Sequence, residues 1–265
     1  MTEFDDRVNR GEASYQELSL GGRTAAGLPQ YDLVPGMGDW VTASLFGEVW
    51  GRPGLPKKMR SIATMTALTV TGKEPQLKGH IGYALNLGWT KEELGELFMH
   101  LVFYAGLPST LNALSVARVV FEERGIMDDG PGESEVGEST AERISRGKET
   151  LEELTLGFVE TASGSEYSLV AGMEDWVTAS LFGDVWGRPG LEKKVRSLAT
   201  MSALCVLGRL PQLRGHVDWA LNLGWSREEI GELFLHLVFY CGLPACLNAL
   251  GVAKDVFDER DAAGR

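Results

Sequence analysis

A carboxylate, an imidazole and a phenol follow one another at four-residue spacing in Glu96, His100 and Tyr104. The same trio returns 136 positions later as Glu232, His236 and Tyr240. On a helix this spacing puts the three groups in one row, a turn apart. Their neighbours are Leu, Phe, Met and Val, so the row is expected to lie against a core. A buried imidazole is costly unless it is hydrogen-bonded or used. A carboxylate one turn before His100 can raise its pKa as an ion-pair partner and leave it ready to deliver a proton. The plainer reading of Glu96 is an exposed helix pair worth about 0.2–0.5 kcal/mol.

The other two histidines, His80 and His216, also stand at matched positions, so all four fall into two pairs. A single histidine on a helix is more often a satisfied structural residue than a functional one; the matching weakens that reading here. Arg60 and Arg196 each follow two lysines. Arg60 begins a row with Thr64 and Leu68, which points it inward, either to clamp a carboxylate bidentately or to pair with Glu48. Asp184 is the counterpart of Glu48, one methylene shorter. Tyr104 and Asn112, with Tyr240 and Asn248, are candidate hydrogen-bond donors to a substrate or equally helix-packing groups. No HxxxH, HExxH or Cys/His cluster is present, so no metal is expected. No GxGxxG motif following a strand and no Walker loop is present either.

The elements that must position these groups are duplicated. Residues 39–124 and 175–260 agree at 62 of 86 positions without a gap, while the preceding stretches, 6–38 and 142–174, keep register but agree at only 13 of 33. The chain therefore divides into repeat 1 (1–124), an acidic Gly/Ser-rich linker (125–141) and repeat 2 (142–265). The flexible reach of such a linker is on the order of 20–25 Å, which suits two domains side by side. Each repeat reads as helical throughout. A short amphipathic helix covers 7–18, and its twin covers 143–154. Asp39 is expected to cap a helix through Val49, Pro56 to open the next, and Pro75 another that stops at Gly88. Thr90-x-x-Glu93 and Ser226-x-x-Glu229 are capping boxes in front of the two central helices. No segment sustains a two-residue alternation, so the expected class is all-α, two tandem helical bundles.

The 265 residues are 44% hydrophobic and 23% charged, an ordinary globular balance with length for two cores. A net charge of −12 would repel a phosphate backbone or an anionic bilayer, so neither nucleic acid nor membrane is an expected partner. No apolar run approaches the roughly 20 residues that span a bilayer, and the acidic N-terminus has no hydrophobic signal region. The three cysteines, Cys205, Cys241 and Cys246, make no disulfide framework and no CxxC pair, so a reducing cytoplasm is the expected location.

Arg-Pro-Gly-Leu at 52–55, Arg60-Ser61, His80-x-x-x-Ala84-Leu85-Asn86-x-Gly88, Tyr104-Ala105-Gly106-x-Pro108 and Asn112-Ala113 come in an order that resembles the carboxymuconolactone decarboxylase family. Both copies carry the pattern. The resemblance implies an all-helical fold, no cofactor and assembly into rings, here a trimer of two-repeat chains standing in for a hexamer. It places Glu48, Arg60, His80 and His100, with Asp184, Arg196, His216 and His236, on or near a pocket. Related thiol peroxidases carry a CxxC pair ahead of the histidine matched by His80. Here Lys73 and Gln76, and Arg209 and Gln212 in the second copy, occupy those places, which argues against a disulfide cycle. The expected activity is cofactor-free decarboxylation of a carboxylated lactone or related conjugated acid, with an anionic or aromatic small molecule as substrate. In that reading Arg60 or Arg196 holds an anionic group, His80 or His216 steadies the oxyanion, and His100 or His236 supplies the proton. Two alternatives remain open. One is a tailoring enzyme of aromatic or polyketide metabolism; the other is a non-catalytic ligand-binding or assembly module.

Overall fold

The structure, a computed structural model, describes residues 2–22, 28–127, 138–159 and 164–265. Most of the expected linker, 128–137, lies outside the described residues. All regular structure among the described residues is helical.

Repeat 1 opens with α1 (Glu3–Ser19) and a 3-10 turn (Pro29–Leu33). Then α2 (Met37–Val41) runs straight into a π-helix (Thr42–Trp50). It continues with α3 (Lys57–Val70), α4 (Glu74–Asn86), α5 (Lys91–Ala105) and α6 (Leu107–Glu123). Repeat 2 copies this order: α7 (Thr140–Thr155), a 3-10 turn (Ser165–Leu169), α8 (Met173–Val177) and a second π-helix (Thr178–Trp186). Its last four helices are α9 (Lys193–Val206), α10 (Leu210–Asn222), α11 (Arg227–Cys241) and α12 (Leu243–Ala262).

The local signals act where their chemistry predicts. Both capping boxes form, with Thr90 and Ser226 accepting from the backbone of Glu93 and Glu229. Gly88 ends its helix at φ +84°, a conformation an L side chain resists. Asp39 is a correction: Gly36 is the N-cap of α2, with no side-chain bond, and Asp39 sits inside the first turn. The π-helix was not foreseen. Runs of i→i+5 bonding this long are rare, and single π turns often mark functional positions. Here the π segment lies against α1 at two glycines. A Cβ on Gly11 would overlap the carbonyl oxygen of Thr42, and one on Gly47 would come within 2.6 Å of the Arg7 carbonyl. Gly147 and Gly183 repeat the arrangement against Thr178 and Arg143.

The two repeats do not own separate main cores. One cluster of buried side chains runs from Leu55, Met65 and Phe98 of repeat 1 to Leu191, Met201 and Phe234 of repeat 2. Each repeat keeps only a small satellite, Leu18, Val41, Phe46 and Trp50 in one and Leu151, Leu154, Val177, Phe182 and Trp186 in the other. The shared core arises because α3 packs on α9, α11 on α3, and α5 on α9. The contact is reciprocal, as at a two-fold interface between identical subunits, but it is made inside one chain.

Candidate active site: a three-rung ladder across the repeats

The row predicted on α11 faces repeat 1, not its own repeat. Each of its members meets a partner there, one helical turn apart. Glu232 receives hydrogen bonds from Arg60 Nη2 at 2.7 Å and from Arg52 Nε at 2.7 and 2.9 Å. His236 Nε2 lies 2.8 Å from the Thr64 hydroxyl. The Tyr240 hydroxyl accepts from Trp50 Nε1 at 3.0 Å. The α5 row mirrors this on repeat 2. Glu96 pairs with Arg196 and Arg188, His100 with Thr200 at 2.8 Å, and Tyr104 with Trp186 at 3.0 Å.

The third element of each site is the other histidine. His80, on α4, stacks 6.1 Å from Trp50 and stands edge-on to Tyr240 with centroids 6.0 Å apart. His216 does the same with Trp186 and Tyr104. One site therefore unites His80 with His236, and the other His216 with His100. His236, His100 and both Thr residues are completely buried, whereas His80, His216 and the two tyrosines are only partly buried. Each site thus has a fully buried inner end and a less buried outer end.

The electrostatics differ from the expectation on one point. Glu96 and Glu232 do not touch the imidazoles one turn on; the arginines take them. Burial pulls both carboxyls upward, but hydrogen bonds from Arg188 and Arg196, or from Arg52 and Arg60, outweigh it and hold them below the usual carboxylate range. Burial, and then the positive charge of Arg196 or Arg60, pushes His100 and His236 well below their ordinary value. Burial alone lowers His80 to about 4 and His216 to about 3. These shifts favour neutral rings at pH 7, and Glu96 and Glu232, bonded to arginines, are not placed to hold an imidazolium as the proton donor. Burial pushes Tyr240 and Tyr104 up to about 12, against opposing hydrogen bonds from Thr64 and Trp50 or Thr200 and Trp186, so both phenols keep their protons. The buried Nδ1 atoms of all four histidines have no protein partner.

Arg60 and Arg196 point inward as expected, yet as substrate clamps they are corrected. Arg60 is completely buried. It gives its donors to Glu232, to the Leu55 carbonyl at 3.1 Å and to the Arg52 carbonyl at 3.3 Å. Arg196 is bound the same way to Glu96, Leu191 and Arg188. The guanidinium at the rim is Arg52, with 47% of its side chain exposed. Nor does Glu48 pair with Arg60. It is exposed and bonded to Arg7, as Asp184 is to Arg143 and Arg146. Asn112 and Asn248 lie on the exposed faces of α6 and α12, apart from the imidazoles. A cleft of about 470 Å³ follows the same seam between repeats. Arg10, Glu48, Arg52, Leu235 and Phe239 line it, and no imidazole does. Sequence reasoning passed over Trp50 and Trp186, and named Thr64 and Arg52 without giving them or their twins Thr200 and Arg188 a place in the site. Their signal was present, since all stand unchanged between the repeats.

An all-helical duplicated fold with paired imidazole sites defines a class, and comparison with known proteins gives it a family. The sequence profile of the Carboxymuconolactone decarboxylase family matches residues 35–119 and again 171–255. The chain belongs to that family and carries its domain twice. It is 42% identical over 88 residues to the 4-carboxymuconolactone decarboxylase of Acinetobacter baylyi, a match covering 33% of this chain and 66% of that protein, just under two thirds. It is 32% identical over 102 residues to the nitrosuccinic acid decarboxylase npaB of Metarhizium robertsii, covering 38% and 71% respectively. A crystal structure from Burkholderia xenovorans LB400, described as a gamma-carboxymuconolactone decarboxylase subunit, superposes with a TM-score of 0.57 at 23% identity. It covers 95% of this chain and 98% of that one, a likeness of fold. Among the described residues no helix is long and apolar enough to cross a membrane.

Proposed function

We propose that the chain is a cofactor-free decarboxylase of a carboxylated lactone or related conjugated acid. Family membership supports the reaction class. What carries the reading is the pairing of an imidazole with a protonated phenol, His80 with Tyr240 and His216 with Tyr104, set edge-on at the seam between repeats at residues less buried than the inner histidines. When the bond to the carboxylate breaks, carbon dioxide leaves and the electron pair moves onto the lactone carbonyl oxygen. A neutral imidazole N–H and a phenol O–H are the donors suited to that oxyanion. Neither has to be charged to serve. Arg52, the partly exposed guanidinium on the Glu232 rung, adds positive charge at the seam that draws an anionic substrate in, without touching the reacting atoms. The inner His236 and Thr64 fix the height of Tyr240 and act as positioning residues. A solvent water then protonates the carbon, and the hydroxide it leaves returns to solvent, where it takes up the released carbon dioxide as bicarbonate. A disulfide peroxidase cycle stays outside this reading, since no thiol precedes His80 or His216 at the CxxC spacing.

The test is carbon dioxide release from γ-carboxymuconolactone. The H80A/H216A double variant is expected to lose on the order of 10²–10³ in kcat, the usual cost of one oxyanion donor. Undiminished turnover would reject the role. The likeness to a nitrosuccinic acid decarboxylase favours a second substrate class, acids whose carbanion is held by nitro oxygens. The same two donors would serve it, and the two substrates assayed side by side separate the classes. Ligand binding without release of carbon dioxide from either would favour the non-catalytic module, a reading to which the complete burial of His100 and His236 lends weight.

A further inference from the structure

The chain's three cysteines come from three helices and meet at one point. Cys205 is the last residue but one of α9, Cys241 ends α11, and Cys246 lies in the first turn of α12. Their sulfurs all lie within 4.8 Å of one another, and Cys241 Sγ is 3.6 Å from Cys246 Sγ. Cys205 and Cys246 are completely buried; Cys241 is partly exposed and gives the cluster a side open to solvent.

The repeats supply an independent observation. Repeat 1 has Thr69, Ala105 and Thr110 at the three corresponding places. The aligned parts of the repeats differ at 24 positions (86 − 62), and every cysteine in the chain is at one of them. Thiols scattered over 24 positions for packing alone would not be expected to converge on one point. Elsewhere in the shared core the repeats differ by exchanges of one aliphatic or thioether side chain for another, as at Ile62/Leu198, Ile81/Val217, Leu94/Ile230 and Met59/Val195, so the thiol triad is a change of chemistry and not of packing alone.

We propose that Cys205, Cys241 and Cys246 form a binding site for one thiophilic d10 cation, Zn2+, Cd2+ or Cu+, in repeat 2 only. Three thiolates at about 2.3 Å from such an ion stand about 3.8–4.0 Å apart, and the observed cluster brackets that spacing. Sulfur ligands select this group of ions over Mg2+ or Ca2+. Binding releases the thiol protons to solvent; with a divalent ion and all three thiolates the complex carries one negative charge. The positive end of α12, whose fourth residue is Cys246, faces that charge favourably. With three protein ligands the ion keeps one position for water, reached past Cys241. The site lies at the helix ends, with Cys241 next in sequence to Tyr240, and does not depend on the decarboxylase reading.

The experiment is anaerobic titration of the reduced, full-length chain with Cd2+, followed by the thiolate-to-metal charge-transfer band and by 113Cd NMR. Expected are one Cd2+ per chain, a single thiolate-rich resonance, and a Cys241 thiol that reacts with an alkylating agent in the metal-free reduced chain and is protected once Cd2+ is bound. The C205T/C241A/C246T variant borrows the residues that repeat 1 already uses at these places, and it should lose the band while keeping its far-ultraviolet dichroism. C205T alone should weaken binding by more than the ~10–100-fold that loss of a second-shell partner costs. If the triple variant misfolds, the wild-type stoichiometry and alkylation pattern still decide. Absence of the band in the reduced protein overturns the site, and so does a band that survives in the folded triple variant. Formation of a Cys241–Cys246 disulfide with no metal held by the reduced thiols overturns it equally.

Discussion

At the scale of single residues, burial disfavours charge on all four imidazoles. Glu96 stands one turn before His100 and on an isolated helix would raise its pKa. In the fold two arginines claim the carboxylate, and burial governs the ring. The consequence for stability has a definite sign. An imidazole whose folded pKa lies below its unfolded value of about 6.5 contributes stability fully above pH 6.5. That contribution is lost as pH falls toward about 4 for His80 and about 3 for His216, because the unfolded chain binds protons there that the folded chain refuses. Glu96 and Glu232, held low, add a loss of the same sign at the acid end. The melting temperature should therefore drop steadily between pH 6.5 and pH 4. H80Q/H216Q should flatten the upper part of that slope. A wild-type profile level from pH 7 to pH 4 would contradict the neutral assignment.

At the scale of elements, α5 and α11 are exchanged, in that each completes the site of the opposite repeat. Paired substitutions read this directly. H80Q with H236Q strikes one site twice and should leave about half of the wild-type turnover, because His216 and His100 are untouched. H80Q with H100Q strikes both sites and should leave almost none. The reverse pattern would mean that each repeat works with its own histidines. The contact between α1 and the π-helix gives a second, purely structural test. Gly11→Ala puts a methyl group onto the Thr42 carbonyl, and overpacking of this kind costs about 1–3 kcal/mol or more. Urea unfolding should register that loss, while a surface Gly79→Ala, with open space around it, should not.

At the scale of the molecule, the shared core makes the two repeats one folding unit. A chain ending at residue 127 would expose the faces of α3 and α5 that repeat 2 normally covers. It should unfold or pair with a second copy of itself, and light scattering on the half-chain separates these outcomes from a folded monomer, which would refute a common core. The same measurement on the intact chain tests the proposed trimer. Leu107, Leu111 and Leu114 on α6, and Leu243 and Leu247 on α12, are exposed apolar residues on faces the chain itself leaves uncovered. A ring of three chains is expected to bury them.

Much of this was legible in the residues alone. Helix period, capping boxes, punctuating glycines and the 136-residue repeat are local or one-dimensional signals, so the all-helical duplicated architecture and the inward rows of Glu232, His236 and Tyr240 could be read directly from the sequence. The partner of each row could not be read. Sequence spacing tells which side chains share a helix face but not which face lies opposite. With two nearly identical repeats, pairing within a repeat or across the chain is equally compatible with the pattern. Only the folded chain decided that Glu232 belongs to Arg60, that His236 belongs to Thr64, and that Glu48 turns away to Arg7. Only packing brought three thiols from three helices together. The physical reason is the same in each case: charge state and ligand sets depend on distances and desolvation between segments far apart in the chain, and those exist only after the core has closed.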